Sequence, residues 1–196
     1  MAKKGGSLKG VLISLRKLAR DRRAVSAIEF ALVFPLMAAL FLGGTVLTQG
    51  IVIKRKVTLA TRAIGDLTSQ DTCVTNAEMT NVFTAATAVF QPYSTNSMTL
   101  MVTSLNVDKD GNATVEWSDK TVNGGARETG RTTGSTVTLP DGVNVPNTHV
   151  IMAEGTYTYT PIVNTSFLSS TVPLSETFYL RPRRVTQITR QATTCS

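Results

Sequence analysis

Histidine is nearly missing from this chain, and cysteine is almost as scarce. His149 stands alone, and Cys73 and Cys195 are the only thiols. One imidazole with no cysteine near it argues against a zinc site or a histidine-based triad. Aromatic residues are few, at 6%, with a single tryptophan. Past residue 90 threonine, serine, valine and glycine take over, a mixture that suits an antiparallel sheet with long turns. No internal repeat of fixed period is present. The most telling absence is local: residues 30–53 contain no charged side chain at all.

What is present is unevenly placed. The net charge of +7 suggests nucleic acid until it is mapped. Residues 1–23 carry eight basic side chains against Asp21 alone, and the remainder carries twelve basic and twelve acidic groups, which cancel. The excess is therefore a local topogenic feature, and no nucleic-acid partner is expected. The uncharged stretch of 24 residues makes a helix of about 36 Å, against a bilayer core of about 30 Å. Eight basic residues precede it, while Lys54, Arg55, Lys56 and Arg62 follow. The heavier side stays in the cytoplasm, so residues 54–196 are expected outside. A buried helix would not need so long and uniform an apolar run. A cleaved secretory signal would have a shorter one, although "FLGGT" imitates its cleavage site.

The expected fold is α+β. A basic leader, 1–24, contains "LKGVLISLRKL" (8–18), readable either as an interfacial amphipathic helix or as a disordered tail. A long helix follows over 25–70, transmembrane at about 30–53, with Pro35 loosening it locally. Beyond the membrane, Ile53, Val57, Ala60, Ile64 and Leu67 make an apolar stripe, with Thr61 and Asp66 mostly off it. Residues 71–196 form the outer domain. There Thr75 and Glu78 have capping-box spacing, Met79, Val82, Phe83, Ala86 and Phe90 give a second helix its apolar face, and Pro92 stops it. The period then becomes strand-like. Residues 98–107 and 113–118 read as a hairpin across "DKDGN", and 148–163 and 176–183 as two further strands. Ile151, Ala153, Tyr157 and Tyr159 share one face, and 121–147 reads as a long loop. Four antiparallel strands packed on the outer half of the long helix are expected.

Several motifs carry less than they suggest. Asp108, Asp110 and Asn112 have a calcium-loop flavour, but the required glycine and glutamate are out of place, and a hairpin turn explains them. "GARETGRT" (125–132) is one residue from a phosphate loop, yet no helix can start in the sequence after it. His149 reads as a surface residue at a strand start. Asn112 and Asn164 head glycosylation triplets to which no role is assigned. Arg181, Arg183, Arg184 and Arg190 read as a solvated basic edge, with an acidic partner surface as the sharper alternative. Cys73 and Cys195 both fall outside the membrane, where oxidation is permitted. A bridge between them, worth about 4–5 kcal/mol in the chain-entropy picture, is favoured over two unpaired thiols. No metal, no cofactor and no credible catalytic nucleophile–base set emerges, so no enzyme is expected.

The stretch "RDRRAVSAIEFALVFPLMAALF" resembles the N-terminus of the TadE/TadG-like proteins, pilin-like minor components of the tight-adherence (Flp, type IV-related) pilus machinery. Ala24, Val25, Ser26, Ala27, Ile28, Glu29, Phe30 and Pro35 follow the family's order of small residue, four more, glutamate, aromatic and apolar helix with an early proline. "EGTYTYTPIV" and "ETFYLRPRR" look like its late-strand and closing segments, so the resemblance covers most of the chain. It implies a pilin-like fold and cleavage by a prepilin peptidase between Ala24 and Val25, with Ala24 where the family commonly has Gly. Glu29 would be the fifth mature residue, paired with the N-terminal amine of a neighbouring subunit. An acid at the membrane mouth is costly, about 2.5–3.5 kcal/mol for Asp at a helix centre and less at the edge, so a partner is expected. The implied partners of this minor pilin or pseudopilin are other pilins, pilus-assembly proteins, the prepilin peptidase and the lipid of a bacterial inner membrane, with the folded part in the periplasm. In the alternative, Glu29 snorkels among inner headgroups, and the chain is an uncleaved single-span protein with an extracytoplasmic ligand-binding domain.

Overall fold

The computed structural model describes residues 22–161 and 171–195. The readings on residues 1–21, on Asn164 and on the last residues of the third strand lie outside them. The fold is α+β: a long apolar N-terminal helix, a second helix and an antiparallel sheet. It divides into two compact units, one ending at Leu47 and one beginning at Thr48, and each is taken by itself.

The first unit, where described, is the opening part of helix α1, Arg22–Gln70. The helix runs unbroken through Pro35. That proline leaves the carbonyl four residues earlier without its donor, a defect one helix turn can absorb. Further along, the Thr45 hydroxyl donates to the carbonyl of Leu42 at 2.8 Å, so a polar group in this apolar stretch is satisfied within the helix.

In the second unit, residues 48–70 of α1 form one layer together with α2, Asn76–Val89. Thr75 caps α2: its hydroxyl accepts from the Glu78 amide, and the Glu78 carboxylate accepts from the Thr75 amide at 2.7 Å. Met79, Val82, Phe83 and Ala86 face inward, and Phe90 beyond the last turn is fully buried. The other layer is a sheet of β2 (Met98–Val107), β3 (Ala113–Val122), β4 (Arg127–Thr129), β6 (Thr148–Tyr159) and β7 (Val172–Leu180) in the order β4-β3-β2-β6-β7, with β5 (Thr136–Val137) also on β3. All its pairings are antiparallel. A separate parallel ribbon joins β1 (Cys73–Val74) to β8 (Thr189–Arg190).

The four long strands match the expected ones with shifted ends. β3 runs on to Val122. β7 starts earlier and stops at Leu180, because Pro182 offers no amide and the Arg183 amide turns to the carbonyl of Ser69 at 2.9 Å, closing the end of α1. The stretch 121–147 is not simply a loop, since β4 and β5 both pair with β3.

The helix stripe also differs. Ile53, Val57, Ala60 and Ile64 are buried, but Leu67 is 40% exposed, and Thr61, Thr68 and Ser69 are buried instead. A period of 3.6 residues carries the buried face off a strict 4-3-4-3 pattern within about four turns. Thr61 is admitted because its hydroxyl bonds to the Val57 carbonyl at 2.8 Å. It lies over Gly155 of β6, where a Cβ would come within 1.9 Å of the Thr61 oxygen. Gly65, one turn on, is as close to the sheet: its Cβ would meet Leu180 at 2.6 Å. Helix and sheet thus touch through glycines. On the other sheet face Leu105, Val107, Val115, Val150 and Met152 make a second core, covered by Leu139. Each such side chain is worth about 1.5–3 kcal/mol of burial.

Candidate functional site

The first candidate is the opening stretch of α1. It is the one helix among the described residues long and apolar enough to cross a membrane. Its side chains have no protein cover: Leu32 is 74% exposed, Phe41 71% and Phe30 66%. An unbroken apolar surface of this extent marks a lipid or protein contact. Phe30 and Phe34, one turn apart, have ring centroids 5.5 Å from each other. Glu29 is exposed, with Val25, Leu32 and Val33 as its helix-face neighbours. None of the ion pairs found among the described residues involves it. Ala24 and Val25 lie in the first turn of the same helix.

In the second unit, Cys73 and Cys195 are brought together in a disulfide, with Cα atoms 5.9 Å apart. The bridge is reinforced beside it. Arg190 of β8 donates through Nε to Asp119 at 2.7 Å, through Nη1 to the Val74 carbonyl at 3.1 Å and through Nη2 to Asn76 at 2.6 Å. Arg127 holds the other oxygen of Asp119. The carboxylate is 5% exposed and Arg190 13%, so Arg190 is no solvated edge residue. Arg183 pairs with Asp66 yet stays exposed, as do Arg181 and Arg184, so those three do form a solvated edge. An open cleft lined by Trp117, Arg127, Thr129 and Thr133 borders this group.

A second polar group was not foreseen. The β2–β3 register slips between Ser104 and Leu105, which leaves Glu116 opposite no residue and turns its side chain aside. Ser104 Oγ donates to Glu116 at 2.8 Å, Gln187 donates to it at 2.7 Å, and His149 Nδ1 lies 3.2 Å away. His149 is therefore half-buried, not a surface residue. The carboxylate stands between hydroxyl and imidazole, which is the wrong order for a histidine to activate the serine. Ser104 is also fully buried, out of a substrate's reach.

Other expected positions have structural partners. Both Asp108 oxygens are engaged, by the amides of Asp110 and Asn112 and the side chain of Asn112. The Asn112 bonds, its side chain first, hold Asp108 below the usual carboxylate range. Arg131 of the would-be phosphate loop grips both oxygens of Glu154. The Thr75 bonds, the amide first, lower Glu78, whereas burial, followed by the nearby Glu78, raises Asp71.

The alternation of "ATVEWSDKTV" does place Asp119 on an inward face, so a buried acid demanding a cation was readable there. The bulge that frees Glu116 was not. No family model matches the chain, nor does any curated protein or any solved structure.

Proposed function

We propose that the chain is a membrane-anchored structural subunit of the TadE/TadG-like kind, a minor pilin or pseudopilin of tight-adherence pilus assembly, and not an enzyme. The observation that carries this reading is Glu29, a lone exposed acid at the head of the uncovered apolar stretch of a helix that also builds a folded domain. Such a domain on such a helix is the pilin-like plan. In this reading α1 spans the inner membrane once, the N-terminus is cytoplasmic and the domain is periplasmic. The disulfide supports an oxidising compartment for the domain.

Removal of residues 1–24 would make Val25 an N-terminus, with an amine of reference pKa about 7.7–8. A neighbouring subunit's amine then supplies the cation that Glu29 needs. Burial makes the absence of that partner more expensive than it makes the pair strong, and this favours assembly over solitude in lipid. Ala24, in place of the family's usual Gly, is what favours the second reading, an uncleaved single-span protein with a ligand-binding domain.

Co-expression with a prepilin peptidase, followed by intact mass measurement, separates the two. The first reading requires loss of residues 1–24; an intact chain supports the second. Fibres that assemble equally well with Glu29→Gln would defeat the assembly role.

A further inference from the structure

The second unit has two unlike ends. At its proximal end, next to residue 48, the Tyr159 ring lies over Gly50, whose Cβ would sit 3.6 Å from the ring. Phe90 packs there on Tyr157 and Tyr93, at centroid distances of 4.8 and 6.0 Å. Val89 and Val172 are exposed at 39% and 42%. Three consecutive cations sit among them. Lys54 bridges to Glu176 at 2.6 Å, Lys56 binds the carbonyls of Val89 and Gln91 at 3.0 and 2.7 Å, and Arg55 points to solvent. At the distal end, where β2 turns into β3, Asp108 and Asp110 outnumber Lys109. Asp141 lies in the adjoining loop, whose Asn144 side chain abuts Gly111.

We propose that the proximal end of the domain is a docking surface for anionic phospholipid headgroups. The inference rests on the membrane reading of α1. Residues 48–53, the end of the uncharged run, already belong to this unit, with Ile53 buried in it, so in the membrane reading lipid ends within a few residues of Gly50. Half-buried Tyr93 and Tyr157, each with an apolar body and a polar tip, exposed valines and an excess of cations are what a headgroup layer accepts, while Tyr159 and Phe90 are buried and only pack this end together. The acidic distal end is repelled by the same layer. Lys54 and Lys56, fastened to β7 and to the end of α2, fix which side of the domain meets the lipid.

The test uses the full chain, disulfide intact, in vesicles of phosphatidylethanolamine and phosphatidylglycerol. Spin labels are placed singly at V89C, V172C and K109C, and their accessibilities to oxygen and to a water-soluble nickel chelate are compared. We expect the labels at 89 and 172 to lose most of their nickel accessibility while 109 reads as water. The protection should weaken in zwitterionic vesicles and with Arg55→Glu. Labels at 89 and 172 that read as water, in a chain that still resists carbonate extraction, would overturn docking and leave the span intact. A chain that carbonate strips from the vesicles would overturn the span. Protection that grows with protein density and ignores lipid charge would assign this end to a second copy of the chain instead.

Discussion

Substituting Gly155 with alanine tests the helix–sheet contact at its tightest point. Gly155 pairs with Leu100 on one side and Glu176 on the other, so β6 is held from both edges and cannot yield. The added Cβ would lie 1.9 Å from Thr61 Oγ1 and 3.1 Å from Thr61 Cβ, where real contacts begin near 3.0 Å. Thr61 is fully buried on a helix interior with its hydroxyl tied to the Val57 carbonyl and its χ1 restricted, so swinging the oxygen away disturbs that bond and the packing of its methyl group. The helix must move by about an ångström, and overpacking of this kind costs about 1–3 kcal/mol. For a domain of this size that is a fall in melting temperature of about 2–4 °C per kcal/mol. Trp117 is the natural reporter, being 8% exposed and bonded through Nε1 to the Ile188 carbonyl at 2.8 Å. Its fluorescence, followed through thermal and urea unfolding of the chain in detergent, gives the loss. Thr61→Ala removes the colliding oxygen, so in that background Gly155→Ala should cost markedly less, a coupling that a double-mutant cycle isolates. A Gly155→Ala chain as stable as the parent, or a loss that Thr61→Ala does not soften, would refute the reasoning.

Three other perturbations probe separate supports. Cys195→Ser should lower stability by about 4–5 kcal/mol in the chain-entropy account, read as a drop in the Trp117 unfolding midpoint; two reactive thiols in oxidised protein would show that the bridge is not formed. Asp119→Ala strands Arg190 and Arg127 and should cost about 3–5 kcal/mol, as breaking a buried pair does, far more than removing the exposed Lys120–Glu128 pair in the same assay. Glu78 is held below its unfolded pKa by the Thr75 bonds, so its contribution is present above about pH 4.3 and lost as pH falls through the folded value. Thr75→Ala should cost about 0.5–2 kcal/mol at neutral pH. That variant keeps the Thr75 amide and loses only the hydroxyl, so an NMR titration should find Glu78 raised part of the way; a full return to the ordinary glutamate value would contradict the amide as the first cause.

The sequence showed the helices best because their signals are local. Thr75 with Glu78 and the apolar positions of α2 need only the helical period to be read, and the uncharged run 30–53 needs only its length. The long strands were legible from alternation, but their ends depend on distant partners: β7 stops where Arg183 reaches Ser69, more than a hundred residues earlier in the chain. The exchange of Leu67 for Thr61 on the buried face could not be read from hydrophobicity. It depends on Gly155 leaving room and on the threonine hydroxyl finding its own helix carbonyl. The Glu116 group was hidden by a single-residue slip in register, which moves a side chain without leaving a mark in composition. Arg190 looked like one of four C-terminal cations until its ribbon with Cys73–Val74 placed it against Asp119.

The disulfide has a topological consequence for turnover. Every strand from β2 to β8 lies within the covalent ring closed by Cys73 and Cys195, 122 residues apart in sequence. A protease that nicks any one loop of that ring opens a circle; it does not release a fragment, and the severed halves remain one molecule. Degradation of the domain therefore needs either two cuts or one cut and a reductant, and a singly clipped subunit would keep its mass on a non-reducing gel.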